Sequence, residues 1–209
     1  ILHLGTLLGQ TNKPDLAKSF FQKAIQINPN DIKVHNNLGM VFQKLGEHRT
    51  AINSFEKAIS INPNYIQAHF NLGNLHRQLG NHQTAINCYQ KAIQIDPENI
   101  NIINALSNLL KLFRLGNVTQ ADKSNLKNLF LFLFRGNNID HTDIAHNAKS
   151  LLFDEKYENQ ISQLINSNSL LLKNEIIQNL LDEELLLLIL RKSLITDKFF
   201  EKLITKIRF

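Results

Sequence analysis

Apolar positions between Ile32 and Asn99 follow a helical pattern that occurs twice, with a constant offset in residue number between the copies (73 − 39 = 34). Each copy, residues 32–65 and residues 66–99, predicts two helices, A and B, with one apolar face apiece. In the first copy these faces contain Leu38, Val41, Phe42 and Leu45 on helix A, and Ala51, Phe55, Ala58 and Ile59 on helix B. Gly46 is placed to end helix A, and Pro63 to end helix B. This period predicts stacked helical repeats, in which each unit covers its neighbour's apolar face.

The same pattern extends towards both ends of the chain. Upstream, residues 1–31 form a copy with a shortened first helix, and Pro14 is placed in the first turn of its second helix. This copy keeps Gly5, Ala17, Phe21, Ala24 and Pro29, each at the same offset from its counterpart (39 − 5 = 34). Downstream, residues 100–136 keep helical spacing, but the step lengthens (116 − 80 = 36) and the second helix loses its repeat residues. We interpret residues 100–136 as a degenerate fourth repeat.

The second helix of that fourth repeat is predicted to run from an N-cap at Thr119 to Gly136. Its segment Phe130–Phe134 is also compatible with a strand, although a short apolar run in a helical chain favours a buried helix. Residues 137–209 do not continue the period but still predict helices. These lie at about 141–153, 155–166, 170–180 and 183–195, followed by a last helix capped by Thr196-Asp197. The chain is therefore predicted to be all-α, with a Leu-rich C-terminal helical region.

Residues 1–99 resemble the tetratricopeptide repeat family. The Leu38-Gly39 pair, the spacing of small and aromatic residues on helix B, and the closing Pro63 carry the likeness. The resemblance implies a right-handed superhelix of helix-turn-helix units, with the A helices lining its concave side. The chain departs from the family at the bulky aromatic position of helix A, where it has His35 and His69. We expect both histidines to pack between helices.

The C-terminal tail resembles a segment of another kind of protein. Leu187–Arg191, Leu194–Asp197 and Phe200–Arg208 are similar to a helical segment that precedes the class I S-adenosylmethionine-dependent methyltransferase domain of bacterial tetratricopeptide proteins. The resemblance implies a catalytic domain beyond Phe209 that uses S-adenosylmethionine. The Gly-rich loop of such an enzyme does not occur in this sequence, so we expect no cofactor in this chain. The sequence begins inside a repeat, at Ile1 and without Met, and we therefore expect a fragment.

Composition and charge narrow the functional classes. Hydrophobic residues make up 43% of the 209 residues, which is enough for a core, and no apolar run approaches the ~20 residues of a membrane span. The excess of 23 Lys and Arg over 18 Asp and Glu is small and dispersed, which argues against a nucleic-acid-binding face. Cys88 is the only cysteine, so no internal disulfide can form, and we expect a cytoplasmic protein.

The best-motivated binding surface is the side of the A helices that faces away from the B helices, which we call the inner face. Its predicted members are Lys33, Asn36, Asn37, Met40, Gln43, Lys44, Gln67, Phe70, Asn71, Asn74, Arg77, Gln78, Asn101, Asn104, Asn108 and Lys111. Carboxamides dominate this set, and each can pair with the backbone of an extended peptide of any sequence. Asn37 and Asn71 resemble the groove asparagines of eukaryotic O-GlcNAc transferases, where an asparagine ladder holds peptide backbone. The alternative is that Asn is abundant in this chain and these side chains are only solvated.

Other chemistry-bearing residues favour structural roles. His48 and His82 recur at the turn between helices A and B and are expected at the surface, and no His or Cys pair has the spacing of zinc ligands. No nucleophile motif or phosphate-binding loop occurs, so we expect neither catalysis nor a metal in this chain. Cys88 is expected to pack as a small apolar residue. The acidic run Asp182-Glu183-Glu184 suits the start of a helix.

The predicted function is that of a protein–protein interaction scaffold, which holds an extended peptide or a helix on the inner face. Two alternatives stay open. In one, the array is the non-catalytic recruitment arm of a methyltransferase or glycosyltransferase whose catalytic domain lies beyond Phe209. In the other, the Leu-rich tail makes the chain a homo-oligomer. We therefore expect protein or peptide partners, no nucleic acid and no membrane span.

Overall fold

A computed structural model of the chain describes residues 2–11, 13–112, 120–136 and 141–152, together with Asn159, Gln163, Glu183, Leu186, Leu188 and Ile189. Helices account for most of these residues, no strand occurs among them, and the predicted all-α fold class is confirmed. The helices are α1 (Leu2–Gln10), α2 (Pro14–Ile27), α3 (Ile32–Lys44), α4 (His48–Ile61), α5 (Ile66–Gln78), α6 (His82–Ile95), α7 (Ile100–Leu112), α8 (Gln120–Arg135) and α9 (His141–Leu152). The chain divides within α7 into two compact units, Ile1–Leu109 and Leu110–Phe209.

In the first unit the helices pair as A and B: α1 with α2, α3 with α4, and α5 with α6. A short turn separates the helices of the second and third pairs, so the helices of each pair run antiparallel. The reversal depends on Gly46 and Gly80, whose φ angles of 76° and 77° lie in the left-handed region that glycine adopts without strain. The prediction that Gly46 ends helix A is confirmed.

Each A helix crosses its B helix at a glycine. A Cβ atom added to Gly39 would lie 2.7 Å from the ring of Phe55, and one added to Gly73 would lie 2.7 Å from the ring of Tyr89. Side chains do not approach one another this closely, so any larger residue would push the two helices apart. Phe55 and Tyr89 are 0% exposed and are therefore core residues. The predicted approach of helix B at Gly39 is confirmed.

Successive repeats are joined through the buried histidines of the A helices. The Nε2 atom of His35 donates to the carbonyl oxygen of Pro29 at 2.7 Å, and that of His69 donates to the carbonyl oxygen of Pro63 at 2.8 Å. The two residues are only 8% and 9% exposed. The predicted packing of His35 and His69 is confirmed, and each ring also bonds its A helix to the turn that closes the preceding repeat.

Local residues mark the starts of two helices of the first unit, α3 and α2. An Asp31 carboxylate oxygen accepts hydrogen bonds from the backbone N–H groups of Lys33 (3.0 Å) and Val34 (3.2 Å), which have no partner within α3. Pro14 is the first residue of α2, as predicted, where its missing N–H costs no helical hydrogen bond. The entry into each of these helices is thus set by a single local residue.

The described part of the second unit contains α8 and α9, which pack against each other. The segment Phe130–Phe134 lies inside α8, so the helix prediction is confirmed and the strand alternative is wrong. Apolar side chains of both helices are buried, among them Leu126, Phe130, Leu133, Phe134, Ile144 and Ala148. The α9 helix spans His141–Leu152, within the predicted 141–153, and Phe153 lies outside the described residues.

Polar contacts also hold the second unit together. The Asn147 side chain donates to the carbonyl oxygen of Leu110. The ammonium group of Lys127 lies 2.8 Å from a carboxylate oxygen of Glu183. One member of the acidic run Asp182-Glu183-Glu184 thus has an ion-pair partner. The helix start predicted at this run lies outside the described residues.

Several predictions fall outside the described residues. These are the cap at Thr119, the helices at 155–166 and 170–180, most of the helix at 183–195, and the last helix after Thr196-Asp197. The assignment of residues 100–136 as a degenerate repeat and of residues 137–209 as one helical region stays a prediction. Within the ranges that the structure covers, no helix combines the length and the apolar character needed to cross a membrane.

Candidate inner-face binding site

The A helices of the first unit lie side by side, because α1 contacts α3 and α3 contacts α5. Most predicted inner-face residues reach the surface there or on α7. The exposed ones are Lys33, Met40, Lys44, Gln67, Arg77, Gln78, Asn101, Asn104, Asn108 and Lys111, and the half-buried ones are Asn37, Gln43, Phe70, Asn71 and Asn74. Lys111 belongs to the second unit. Which of these residues contact a partner stays a prediction.

A row of carboxamides crosses the three A helices. The Asn71 amide on α5 donates to the side-chain oxygen of Asn36 (2.9 Å), and the Asn36 amide donates to that of its neighbour Asn37 (3.4 Å). The Asn37 amide in turn donates to the hydroxyl of Thr6 on α1 (3.3 Å). Asn36 is a correction to the predicted set, because it is only 4% exposed and its side chain is used within the row. Asn37 and Asn71 remain half-exposed members of the row.

A second polar contact closes the groove between α3 and α5. The Gln43 amide donates to the side-chain oxygen of Gln78 at 2.9 Å. Within the repeat at residues 66–99, the Tyr89 hydroxyl donates to the side-chain oxygen of Asn74 at 2.7 Å, and the Phe70 ring centroid lies 5.9 Å from that of Tyr89. Burial raises the pKa of the Tyr89 hydroxyl, which therefore stays a donor at neutral pH.

The groove between α1 and α3 is open by comparison and contains a pocket of about 70 Å³. Its walls combine apolar side chains with a polar mouth. The lining residues are Thr6, Gly9, Phe21, Asn37, Met40, Val41 and Lys44. The Lys44 ammonium group donates to the carbonyl oxygen of Gly9, so it lies across one end of the pocket.

The inner face also has a consistent sign of charge. Helices α1, α3 and α5 contain no Asp or Glu. Their Lys and Arg residues are Lys33, Lys44 and Arg77. The carboxylates of residues 1–99 all lie on B helices or in connections, at Asp15, Asp31, Glu47, Glu56, Asp96 and Glu98. A ligand on the inner face therefore meets amide dipoles and positive charges.

Comparison with protein families identifies the repeats that form the inner face. A tetratricopeptide repeat model matches residues 32–65 and 66–99, and a second tetratricopeptide repeat model matches residues 1–31. Residues 1–99 are tetratricopeptide repeats. The repeat boundaries agree with those predicted from the sequence period. No curated protein sequence matches this chain.

Solved structures with similar folds include a TPR domain and two further proteins. The first TPR of Spaghetti (RPAP3), bound to HSP90 peptide SRMEEVD, has a TM-score of 0.51 and 19% identity, covering 53% of this chain and 89% of that one. MamA protein has a TM-score of 0.51 and 20% identity, covering 74% of each chain. A K341M mutant of Thermobaculum terrenum O-GlcNAc transferase has a TM-score of 0.52 and 19% identity, covering 64% of this chain and 25% of that one. At these identities the likeness shows a shared fold.

Histidines at the turns of the tetratricopeptide repeats are less exposed than predicted. His48 and His82 are half-buried, and the Nδ1 atom of each is buried without a hydrogen-bond partner in the described part of the chain. Both histidines were expected at the surface, and the structure corrects this expectation to partial burial. They follow Glu47 and Asn81 at the first position of their B helices.

Cys88 packs beside the tetratricopeptide core, as predicted. Burial raises the pKa of its thiol to about 11, and the nearby Glu56 carboxylate acts in the same direction. The thiol is therefore un-ionised and weakly nucleophilic at neutral pH. Among the residues that the structure covers, no group of three or more His, Cys, Asp or Glu side chains is arranged to hold a metal ion.

Four residues of the open groove lie outside the predicted inner face. Phe21 and Val41 were predicted as packing residues of the repeats, whereas Thr6 and Gly9 were not predicted in any role. The repeat period contains a signal for both, since Thr6 is the counterpart of Met40 (40 − 6 = 34) and Gly9 is the counterpart of Gln43 (43 − 9 = 34). The correspondence of Thr6 with Met40 and of Gly9 with Gln43 was missed because the first helix of residues 1–31 is shortened. Membership of Thr6 in the carboxamide row becomes visible only once α1 is placed beside α3.

Proposed function

We propose that the inner face of the tetratricopeptide repeats binds an extended polypeptide segment of a protein partner. The carboxamide row across α1, α3 and α5 is the observation that carries this proposal. A carboxamide has two donor hydrogens and two acceptor lone pairs. The contacts between Asn71, Asn36, Asn37 and Thr6 use only part of this capacity, and the half-exposed Asn37 and Asn71 can offer the remainder to a peptide backbone.

The mutual hydrogen bonds of the row also support this function. They hold the side chains of Asn37 and Asn71 in one geometry before a ligand arrives, so that less side-chain entropy is lost on binding. The structure of the first TPR of Spaghetti, which holds a peptide, supplies an analogy at the level of the fold. The identity of the bound segment does not transfer at 19% identity.

A peptide-display selection followed by substitution tests the proposal. Decapeptides selected on the wild-type chain are measured by fluorescence anisotropy against Asn37→Ala, Asn71→Ala and the double variant. We expect the double variant to weaken binding about tenfold or more, because two hydrogen bonds to the peptide are lost. Asn53→Ala, which makes the same change at an exposed position of α4, is expected to bind as the wild type does.

Thermal unfolding of each variant must accompany these measurements, because Asn71→Ala removes the donor to the buried Asn36. Asn37→Ala leaves that bond in place and serves as the second, milder variant. The proposal fails if the wild-type chain selects no peptide above background. It also fails if a folded double variant binds the selected peptides as tightly as the wild type does.

Two other functions predicted from the sequence stay predictions. Recruitment for a methyltransferase or glycosyltransferase concerns sequence beyond Phe209. Self-association concerns the Leu-rich tail, most of which lies outside the described residues.

A further inference from the structure

We propose that the pocket between α1 and α3 receives one aliphatic side chain of the bound polypeptide, and that an acidic residue next to it pairs with Lys44. This inference rests on the proposed function, because it names the side chains that the same inner face selects. It makes the α1–α3 groove the part of the tetratricopeptide array that distinguishes one peptide from another.

The pocket exists because the first repeat has glycine where the others have long side chains. Gly9 is the counterpart of Gln43 (9 + 34 = 43) and of Arg77 (43 + 34 = 77). In the neighbouring groove Gln43 reaches across to Gln78 and closes the space between α3 and α5. Gly9 has no side chain to reach Lys44, the counterpart of Gln78 (44 + 34 = 78), so the space between α1 and α3 stays open.

The size and lining of the pocket fit a single aliphatic side chain. A volume of about 70 Å³ exceeds the ~10–15 Å³ that one water needs, and falls well below the ~300 Å³ at which small-molecule sites begin. The Phe21 ring, Met40 and Val41 supply apolar contact. Met40 is 43% exposed, so burying it against a ligand side chain removes apolar surface from water.

The mouth of the pocket favours a carboxylate. The Lys44 ammonium group has three N–H donors, and one of them meets the Gly9 carbonyl oxygen beside the pocket. Helices α1, α3 and α5 carry no Asp or Glu to compete for this cation. Charge complementarity therefore points to Asp or Glu in the ligand next to the aliphatic residue.

A selection on two proteins tests the aliphatic preference. Random decapeptides are selected on the wild-type chain and on Gly9→Gln, which copies the residue of the next repeat. A Cβ atom at position 9 would lie 3.7 Å from Val41 and 3.9 Å from Ala17, both ordinary contacts, so the variant is expected to fold. We expect wild-type peptides to share an aliphatic residue with Asp or Glu within two positions. Gly9→Gln should still select peptides, but without the aliphatic preference.

The charge is tested with Lys44→Gln, which should lose the acidic preference and keep the aliphatic one. Lys57→Gln makes the same change at an exposed position of α4 and should keep both. Equal aliphatic enrichment on wild type and Gly9→Gln would overturn the inference and leave the proposed function standing. If the wild-type chain selects no peptide, both this inference and the proposed function are wrong.

Occupation of the pocket can be measured directly by NMR, because Met40 is the only methionine of the chain. Protein labelled with methyl-¹³C methionine gives one methyl signal, from the wall of the pocket. A selected peptide should shift this signal on binding. The same peptide with its aliphatic residue replaced by Ala should bind about tenfold more weakly. It should leave the Met40 signal near the position seen in the unbound protein. A tight peptide that leaves the Met40 signal unmoved contradicts the inference.

Discussion

The tetratricopeptide repeats at residues 32–65 and 66–99 are nearly identical where their helices pack and different on the inner face. Their A and B helices meet at Gly39 and Phe55 in one repeat and at Gly73 and Tyr89 in the other, with the same 2.7 Å approach to a Cβ position. On the inner face, however, Met40 occupies the place that Asn74 has one repeat later (40 + 34 = 74).

The two differences between these repeats are linked. Tyr89 has a hydroxyl, and the hydroxyl donates to Asn74 at 2.7 Å. Phe55 has none, and its repeat has Met40 at the matching position. A polar group in the core is therefore accompanied by its partner on the inner face, whereas an apolar core residue leaves that position free for an apolar contact. Packing thus constrains this inner-face position in the repeat at residues 66–99.

We call the contact between helices A and B at Gly39 and Phe55, and at Gly73 and Tyr89, the seam. The largest effect is expected from crowding it with Gly39→Ala. Gly39 lies in the middle of α3, and its new Cβ atom would lie 2.7 Å from the Phe55 ring on α4, so the two helices must separate. We expect a loss of about 1–3 kcal/mol in the free energy of unfolding, measured by urea denaturation. Gly9→Ala is the matched control, because its Cβ contacts are 3.7 Å and longer. Its stability should be unchanged or slightly higher. Equal losses in both variants would show that the seam is not tightly packed.

A smaller effect is expected from exchanging the linked pair. Phe55→Tyr places a hydroxyl beside Met40, which offers only a weak acceptor, and should cost about 1–2 kcal/mol. Adding Met40→Asn recreates the pair of Tyr89 and Asn74 and should recover most of that loss. Urea denaturation of the four proteins of this double-mutant cycle gives the coupling energy. A coupling energy near zero would mean that the pairing seen in residues 66–99 carries no stabilisation.

The seam could be predicted from the sequence, whereas much of the inner face could not. Gly39 and Phe55 belong to one helix pair, and their contact follows from the helical period alone. The burial of Asn36 depends on Asn71, which lies on another A helix in the next repeat. The pocket exists because Gly9 has no side chain, and the absence of a side chain leaves no signal in the pattern of hydrophobic residues. The N-cap at Asp31 was missed although Asp directly before a helix is a local signal.

The smallest effect at neutral pH is expected from Cys88→Ser, since Cys88 is the counterpart of Ser54 (54 + 34 = 88). The Ser54 hydroxyl donates to the Thr50 carbonyl oxygen at 2.8 Å, and a serine at position 88 can do the same within its own helix. We expect a change within about 0.5 kcal/mol at pH 7.

The two proteins should diverge in alkaline solution. The pKa of the Cys88 thiol is raised to about 11 in the folded chain from an ordinary value of 9.0. The folded state therefore favours the protonated thiol, and this contribution is complete below pH 9 and is lost as the pH rises towards 11. Wild type should lose more stability than Cys88→Ser across that range. Iodoacetamide should likewise alkylate the native thiol more slowly than the urea-unfolded thiol at about pH 8.5. Equal rates would contradict the burial of Cys88.

The histidine bonds to Pro29 and Pro63 have a mechanical consequence. Each ties an A helix to the turn that ends the preceding repeat, with bond lengths of 2.7 and 2.8 Å, so each adds to the coupling between neighbours rather than to one repeat alone. In a linear array, stronger coupling between neighbours makes the units open together. Under a force applied to its two ends, residues 14–99 should therefore resist as one elastic element and yield in a single step.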